Sequence, residues 1–197
     1  LPMMKLRFAQ PEHLIDINRI PELKGIREEG NTVVIGAMTV ENELINSKVL
    51  QAKVPLLCEA AKLIADPQVR NRGTIGGSVA NNDPSACYPA GVLASGATVV
   101  TNNREIAADD YFLGMFETAL EEGEIVTEVR FPIPEAAHYE KHLQPASRFP
   151  LVAVFVAKFA DGVRVAVTGA SENGVFRWTE AEEALDANFN AEAVAGL

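Results

Sequence analysis

The segment that most constrains this chain lies near its middle. Between residues 71 and 89 it places Gly73, Gly76, Gly77, Asn81, Asn82, Asp83, Pro84 and Pro89. So many turn-forming residues read as backbone punctuation rather than a core segment, and the apolar stretches on either side must pack around it. The sharpest part is Arg70-Asn71-Arg72-Gly73-Thr74-Ile75-Gly76-Gly77-Ser78. Adjacent glycines permit backbone conformations that a side chain forbids. Successive N–H groups can then converge on an anion, with the Thr74 and Ser78 hydroxyls on either side. Such a set suits a pyrophosphate, although a plain glycine turn is the commoner use of a glycine pair.

The flanking stretches alternate between helical and extended patterns. Residues 14–23 read as a short strand or turn stopped by Pro21, and Thr32, Val33, Val34 and Ile35 as a strand bracketed by Gly30 and Gly36. Thr39 is the expected N-cap of a short helix over residues 40–46. Pro55 opens a second helix, carried by Leu56, Leu57, Ala60, Ala61 and Ile64 and stopped before Pro67. Further on, residues 89–94 read as a short helix, 97–101 and 104–107 as a hairpin turning at Asn102-Asn103, and 124–131 as a strand. Pro132, Pro134 and Ala136-Ala137 read as a linker. Three β-rich stretches follow (139–143, 151–159 and 163–168), with an Asp161-Gly162 turn between the last two. A strand over 175–178 and a helix over 180–185 close the pattern. The expectation is an α+β chain in two parts, residues 1–132 and 133–197.

Composition excludes several classes. With 48% apolar and 22% charged residues in 197, the chain is neither disordered nor fibrous. No run of about 18 apolar residues offers a membrane span, and the first residues do not read as a signal peptide. A formal charge of −10 is poorly suited to nucleic acid. Cys58 and Cys87 match neither a metal motif nor a disulfide framework, so a reducing, cytoplasmic location is the expectation.

Self-contained catalytic sites are not visible. No GxGxxG follows a strand and no GxxxxGK occurs. His138 and His142 are spaced for zinc only on a helix, and the segment reads as a strand. Asp109-Asp110 and Glu121-Glu122 with Glu124 read as solvated acidic faces. Cys87 has no basic neighbour in sequence and reads as an inert thiol. No catalytic residue and no metal ligand are assigned.

The motifs together resemble a known family. Thr74-Ile75-Gly76-Gly77-Ser78, then Asn81-Asn82-Asp83-Pro84 and Tyr88-Pro89-Ala90, is similar to the second flavin motif of the FAD-binding (medium) subunits of the molybdopterin dehydrogenases, the group of aerobic carbon monoxide dehydrogenase and xanthine dehydrogenase. Val34-Ile35-Gly36-Ala37-Met38-Thr39, Gln68-Val69-Arg70-Asn71, Thr118-Ala119-Leu120, Gly123-Glu124-Ile125 and Tyr139-Glu140-Lys141 agree in order and spacing. Residues 1–6 resemble the stretch directly after the family's first flavin motif. The resemblance thus implies that the sequence lacks the first flavin loop and the extreme C-terminus.

The resemblance also implies a fold: a vanillyl-alcohol-oxidase/PCMH-like FAD-binding subdomain, then a smaller sheet-and-helix domain. It implies FAD held at its pyrophosphate by Thr74, Ile75, Gly76, Gly77 and Ser78, with apolar contacts from Ile64 and Leu120 and with Lys141 holding or tuning the flavin. Where the family often has an acid near the ribose, this chain has Cys87, with Asp83 as the compensating acid. The implied role is electron transfer inside a molybdenum hydroxylase. The molybdopterin would sit on a large partner subunit and [2Fe-2S] clusters on a small one, and electrons would leave to an external acceptor. The alternative is a flavin-free structural or assembly homologue.

Overall fold

The computed structural model describes residues 2–197, with side chains from residue 3 onward. Leu1, at the head of the stretch compared above with the segment after the first flavin motif, lies outside the described residues. In chain order the elements are α1 (Pro2–Lys5), a 3-10 turn (Pro21–Leu23), β1 (Ile26–Glu29), β2 (Thr32–Gly36), α2 (Glu41–Asn46), α3 (Lys48–Lys53), α4 (Pro55–Lys62), α5 (Pro67–Arg70), α6 (Ile75–Asn81) and α7 (Tyr88–Ala94). Then come β3 (Thr98–Thr101), β4 (Glu105–Ala107), α8 (Ala108–Tyr111), β5 (Phe112–Gly114), β6 (Glu117–Thr118), β7 (Val126–Pro132), β8 (Ala136–Leu143), β9 (Pro150–Phe159), β10 (Gly162–Thr168), β11 (Phe176–Arg177), α9 (Thr179–Ala187) and a terminal 3-10 turn (Ala191–Val194).

Two antiparallel sheets organise the chain. The first runs β1-β2-β7-β3-β4 and the second β11-β10-β9-β8, while β5 and β6 form a separate hairpin. The larger sheets share no strand, and the passage between them is residues 133–135, because Ala136 and Ala137 already belong to β8. Helices α4, α6 and α7 lie between the sheets: α6 packs on β2 and β7, α4 on β8, and α7 on β9 and β10. One apolar core runs through all three layers, from Val33, Ile35, Val129 and Phe131 through Leu57 and Tyr88 to Tyr139 and Phe155. On β9, Ala153, Phe155 and Ala157 face that core. The alternate residues Val154 and Val156 pack instead with Val163, Val165, Ala181 and Leu185 under α9.

Polar links also cross between the halves. From β10, Arg164 reaches the Leu93 carbonyl at 3.0 Å and the Asp109 carboxylate at 2.6 Å, and Arg177 of β11 joins the same carboxylate at 3.4 Å. Asp109 is therefore a solvated acid that is also ion-paired, its side chain 45% exposed. Glu124, by contrast, is buried and accepts from Thr101 Oγ1 at 2.7 Å and Arg104 Nε at 3.0 Å. The Arg104 guanidinium and the Thr101 hydroxyl hold its carboxyl at about 2.

Local expectations fail where tertiary contacts take over. Of the strand or turn read over residues 14–23 the turn is what forms, at residues 18–19, followed by a 3-10 turn from Pro21. Thr39 caps no helix: its hydroxyl exchanges hydrogen bonds with the Gly25 N–H and carbonyl at 3.0 and 3.1 Å, and Val40 takes the N-cap position. The second helix ends at Lys62, leaving Ile64 beyond it. The two-residue turn between β9 and β10 is Ala160-Asp161, one position earlier than expected. The glycine segment departs most: Ile75 to Asn81 is helical and its Ile75, Gly76 and Val79 are buried. Neither Gly76 nor Gly77 has positive φ. Gly76 is required for space, since a Cβ there would run into the side chain and backbone of Ala37.

Candidate functional site

The cap of α6 explains its short, tight start. Thr74 is extended, and its Oγ1 accepts from the Gly77 N–H at 3.2 Å. A bridge between Val40 and Thr74 ties this turn to the start of α2. The Ile75 N–H donates to the Thr39 carbonyl (3.3 Å), Gly76 N–H to that of Ala37 (2.9 Å) and Ser78 N–H to that of Thr74 (3.1 Å). All four amides from Ile75 to Ser78 thus have acceptors within the protein. The hydrogens left to offer a ligand are those of the Thr74 and Ser78 hydroxyls, beside an exposed Gly77.

Beside α6 lies a cavity of about 240 Å³. Its lining is mixed, with polar Ser78, Asn81, Asp83, Ser85 and Lys141 and apolar Ile64, Ala65, Val69, Phe149 and Pro150. Five residues singled out in the sequence meet there: Ile64, Ser78, Asp83, Cys87 and Lys141. The other five stand apart. Thr74 and Gly77 form the capped turn, Ile75 and Gly76 are packed beneath it, and Leu120 lies against the main core.

Strand β8 delivers Tyr139 and Lys141 to the inner face, two residues apart, and leaves His138, Glu140 and His142 outside. Lys141 Nζ donates to the Leu63 carbonyl at 3.0 Å and lies 3.5 Å from Cys87 Sγ. The Tyr139 hydroxyl donates to the same sulfur at 3.1 Å, while its ring stacks on Phe155. Cys87 therefore has a basic partner, one that is 54 positions away in sequence. Burial pushes its thiol up, against the pull of Lys141 and Tyr139. Asp83 accepts from the Ser85 N–H at 2.8 Å and so shapes its own loop as it lines the cavity.

Sequence reasoning missed Glu41 and Arg148. Glu41, within the helix expected over residues 40–46, is 5% exposed and lines the cavity, and burial pushes it up to about 7 despite the attraction of Arg70. Arg148 also lines the cavity, donating to the Ala65 carbonyl at 3.2 Å. No local pattern marks either; both depend on segments brought together by the fold. Among the described residues no group of three or more His, Cys, Asp or Glu side chains is placed to hold a metal ion, and no helix is long and apolar enough to cross a membrane.

This mixed lining suits a molecule that carries both polyol hydroxyls and a flat apolar body. The volume falls below the roughly 300–1,000 Å³ of pockets that enclose a whole drug-sized ligand, so a dinucleotide would enter only in part. The residues present fit FAD in that sense.

Comparison with known proteins agrees. Residues 1–134 match the family model described as the FAD binding domain in molybdopterin dehydrogenase. The carbon monoxide dehydrogenase medium chain of Hydrogenophaga pseudoflava is 65% identical over 136 residues, covering 67% of this chain and 47% of that protein. The medium chain of the same name from Afipia carboxidovorans is 49% identical over 148 residues, covering 72% and 51%. The chain thus spans about half the length of these curated relatives. A solved structure of carbon monoxide dehydrogenase from Hydrogenophaga pseudoflava, lacking the Mo-pyranopterin moiety of its cofactor, superposes with a TM-score of 0.89 at 52% identity. The match covers 98% of this chain and 71% of that one. The chain belongs to the family of FAD-binding domains of the molybdopterin dehydrogenases.

Proposed function

We propose that this chain is the flavin-carrying electron-transfer part of a molybdenum hydroxylase, an oxidoreductase whose activity needs partner subunits. A molybdopterin-binding large subunit would oxidise the substrate, and an iron–sulfur small subunit would relay electrons to this chain for an external acceptor. Bound FAD supplies the two-electron store that lets one-electron carriers serve such an acceptor. The protein's share is to bind and orient. Thr74 and Ser78 offer hydroxyls to the pyrophosphate, with Ile75, Gly76 and Gly77 forming the turn that presents them. Ile64 and Leu120 offer apolar surface. Lys141 would be held toward the flavin by the Leu63 carbonyl, with Cys87 and Asp83 beside it. In the same reading residues 1–132 form the flavin domain and 133–197 the C-terminal one, a division that coincides with the change of sheet. A cytoplasmic location accords with two free, buried cysteines.

The observation that carries this reading is the cavity gathering Ile64, Ser78, Asp83, Cys87 and Lys141. One observation favours the rival, a flavin-free structural homologue: the α6 amides are already engaged within the protein. Purification of the full-length protein with its partner subunits separates the two. A yellow preparation with stoichiometric flavin supports the electron-transfer role, and a colourless, correctly assembled complex supports the scaffold.

A further inference from the structure

One carboxyl on the cavity wall has no task in the reading above. Glu41 opens α2, is 5% exposed, and lines the cavity with Ser78, Cys87 and Lys141. Its Oε2 is buried and has no hydrogen-bond partner. Leaving such an oxygen unmatched carries a desolvation penalty that a fold normally avoids. The chain nevertheless makes room for it. Gly73 stands where any Cβ would come within 2.6 Å of Glu41 Oε1, and its carbonyl accepts the Glu41 N–H at 3.0 Å.

The groups around Glu41 leave the deficit in place. Arg70 of α5 directs Nη1 to the Ile64 and Ala65 carbonyls at 2.7 and 3.3 Å, and its Nε is unpartnered. The fully buried Tyr88 of α7 has an unpartnered hydroxyl. Cys87 is engaged with Tyr139 and Lys141, and the Cys58 thiol of α4 with the Leu44 carbonyl at 3.3 Å. Arg70 and Tyr88 do not line the cavity, whereas Glu41 does. Burial, which outweighs Arg70 and pushes the carboxyl up to about 7, fits a group without a full internal partner set.

Resting on the reading that the cavity takes part of FAD, we propose that Glu41 is a cofactor-binding residue whose carboxyl accepts a hydrogen bond from a sugar-type hydroxyl of the dinucleotide. Ser78, Asn81 and Ser85 on the same cavity supply the companion polar contacts that a polyol needs. FAD carries such hydroxyls on the ribityl chain and on the adenylate ribose, and the test separates these sources.

Glu41→Leu removes the acceptor at nearly constant volume, and Glu41→Gln keeps one. Both are made in the full-length protein, which is melted without FAD and titrated with FAD, riboflavin and ADP. Glu41→Leu should leave the FAD-free melting point unchanged or raised, because a buried unmatched carboxyl is gone. It should weaken FAD roughly tenfold or more, while Glu41→Gln stays within about threefold of wild type. A parallel loss for riboflavin assigns the ribityl chain, and one for ADP the ribose. Equal FAD affinity in wild type and Glu41→Leu overturns the proposal. So does an FAD-free Glu41→Leu protein that melts well below wild type, which would put the carboxyl's partner inside the protein. A wild type that binds none of the three probes overturns the cofactor reading itself.

Discussion

Gly76 and Gly77 are neighbours with different obligations. A Cβ on Gly76 meets Ala37, and the clash involves backbone as well as side chain. Gly76→Ala should therefore lower stability by about 1–3 kcal/mol, as overpacking does, while Gly77→Ala, whose Cβ would meet only Thr74 Oγ1 at 2.9 Å, should cost less. Urea midpoints of the two variants check the order. Two acids should shape stability against pH in opposite directions. Glu41 titrates at about 7 in the fold against an ordinary 4.5, so the fold holds its proton more tightly than the unfolded chain does. Its contribution is complete below pH 4.5 and is lost as pH rises to about 7. Glu124 runs the other way. Its carboxyl is held at about 2, so its contribution is complete above 4.5 and is lost as pH falls toward 2. Glu41→Gln should flatten the first slope and Glu124→Gln the second in urea midpoints measured across pH.

At the scale of elements, α6 links the glycine turn to the β5–β6 hairpin. Its C-terminal cap is Asn82, buried and left-handed at φ 44°. The Asn82 carbonyl accepts from Phe116 N–H at 3.0 Å, and its Nδ2 donates to the carbonyls of Gly114 and Glu117 at 2.8 and 2.9 Å. Asn82→Ala removes both side-chain bonds and a residue type that tolerates this conformation. Hydrogen exchange should then accelerate through residues 112–118 by at least tenfold, consistent with about 1.5 kcal/mol or more of lost local stability, while β7 stays protected. How much of these elements was legible depended on how local their causes are. Thr32 to Ile35 and Val163 to Thr168 announced strands because β-branched residues suit extended backbone wherever it lies. Thr39 misled because Gly25, 14 positions away, captured its hydroxyl. Helix α6 was read as a turn because a glycine pair signals conformational freedom, whereas here it meets a demand for space set by Ala37. Among the residues lining the cavity, Ser78 and Lys141 were singled out through the family motifs. The burial of Glu41 and the Lys141–Cys87 contact were not, because each depends on distant segments converging.

The molecule as a whole has two sheets and one main core, and this governs how it should unfold. Phe155, on the second sheet, is fully buried among residues of the helical layer and stacks on Tyr139. Phe155→Ala should cost about 3–5 kcal/mol and lower the stability of both sheets together. Circular dichroism and hydrogen exchange should report one transition for β2 and β9; separate transitions would show that the sheets are independent domains. The change of sheet after Pro132 was legible as a change of pattern, but the packing across it was not, since helices contributed before residue 132 complete the core under strands that come after it. Asp109 adds a historical consequence. Its carboxylate answers two arginines from the other side of that division, Arg164 and Arg177. A recombination event joining two ancestral genes near residue 132 would draw the acid from one parent and both bases from the other. A chimaera that brings the acid together with a parent lacking either arginine should lose that pair and melt slightly lower, by about 0–1 kcal/mol of stability for each exposed pair lost, which thermal melts of chimaeras spliced at residue 132 would show.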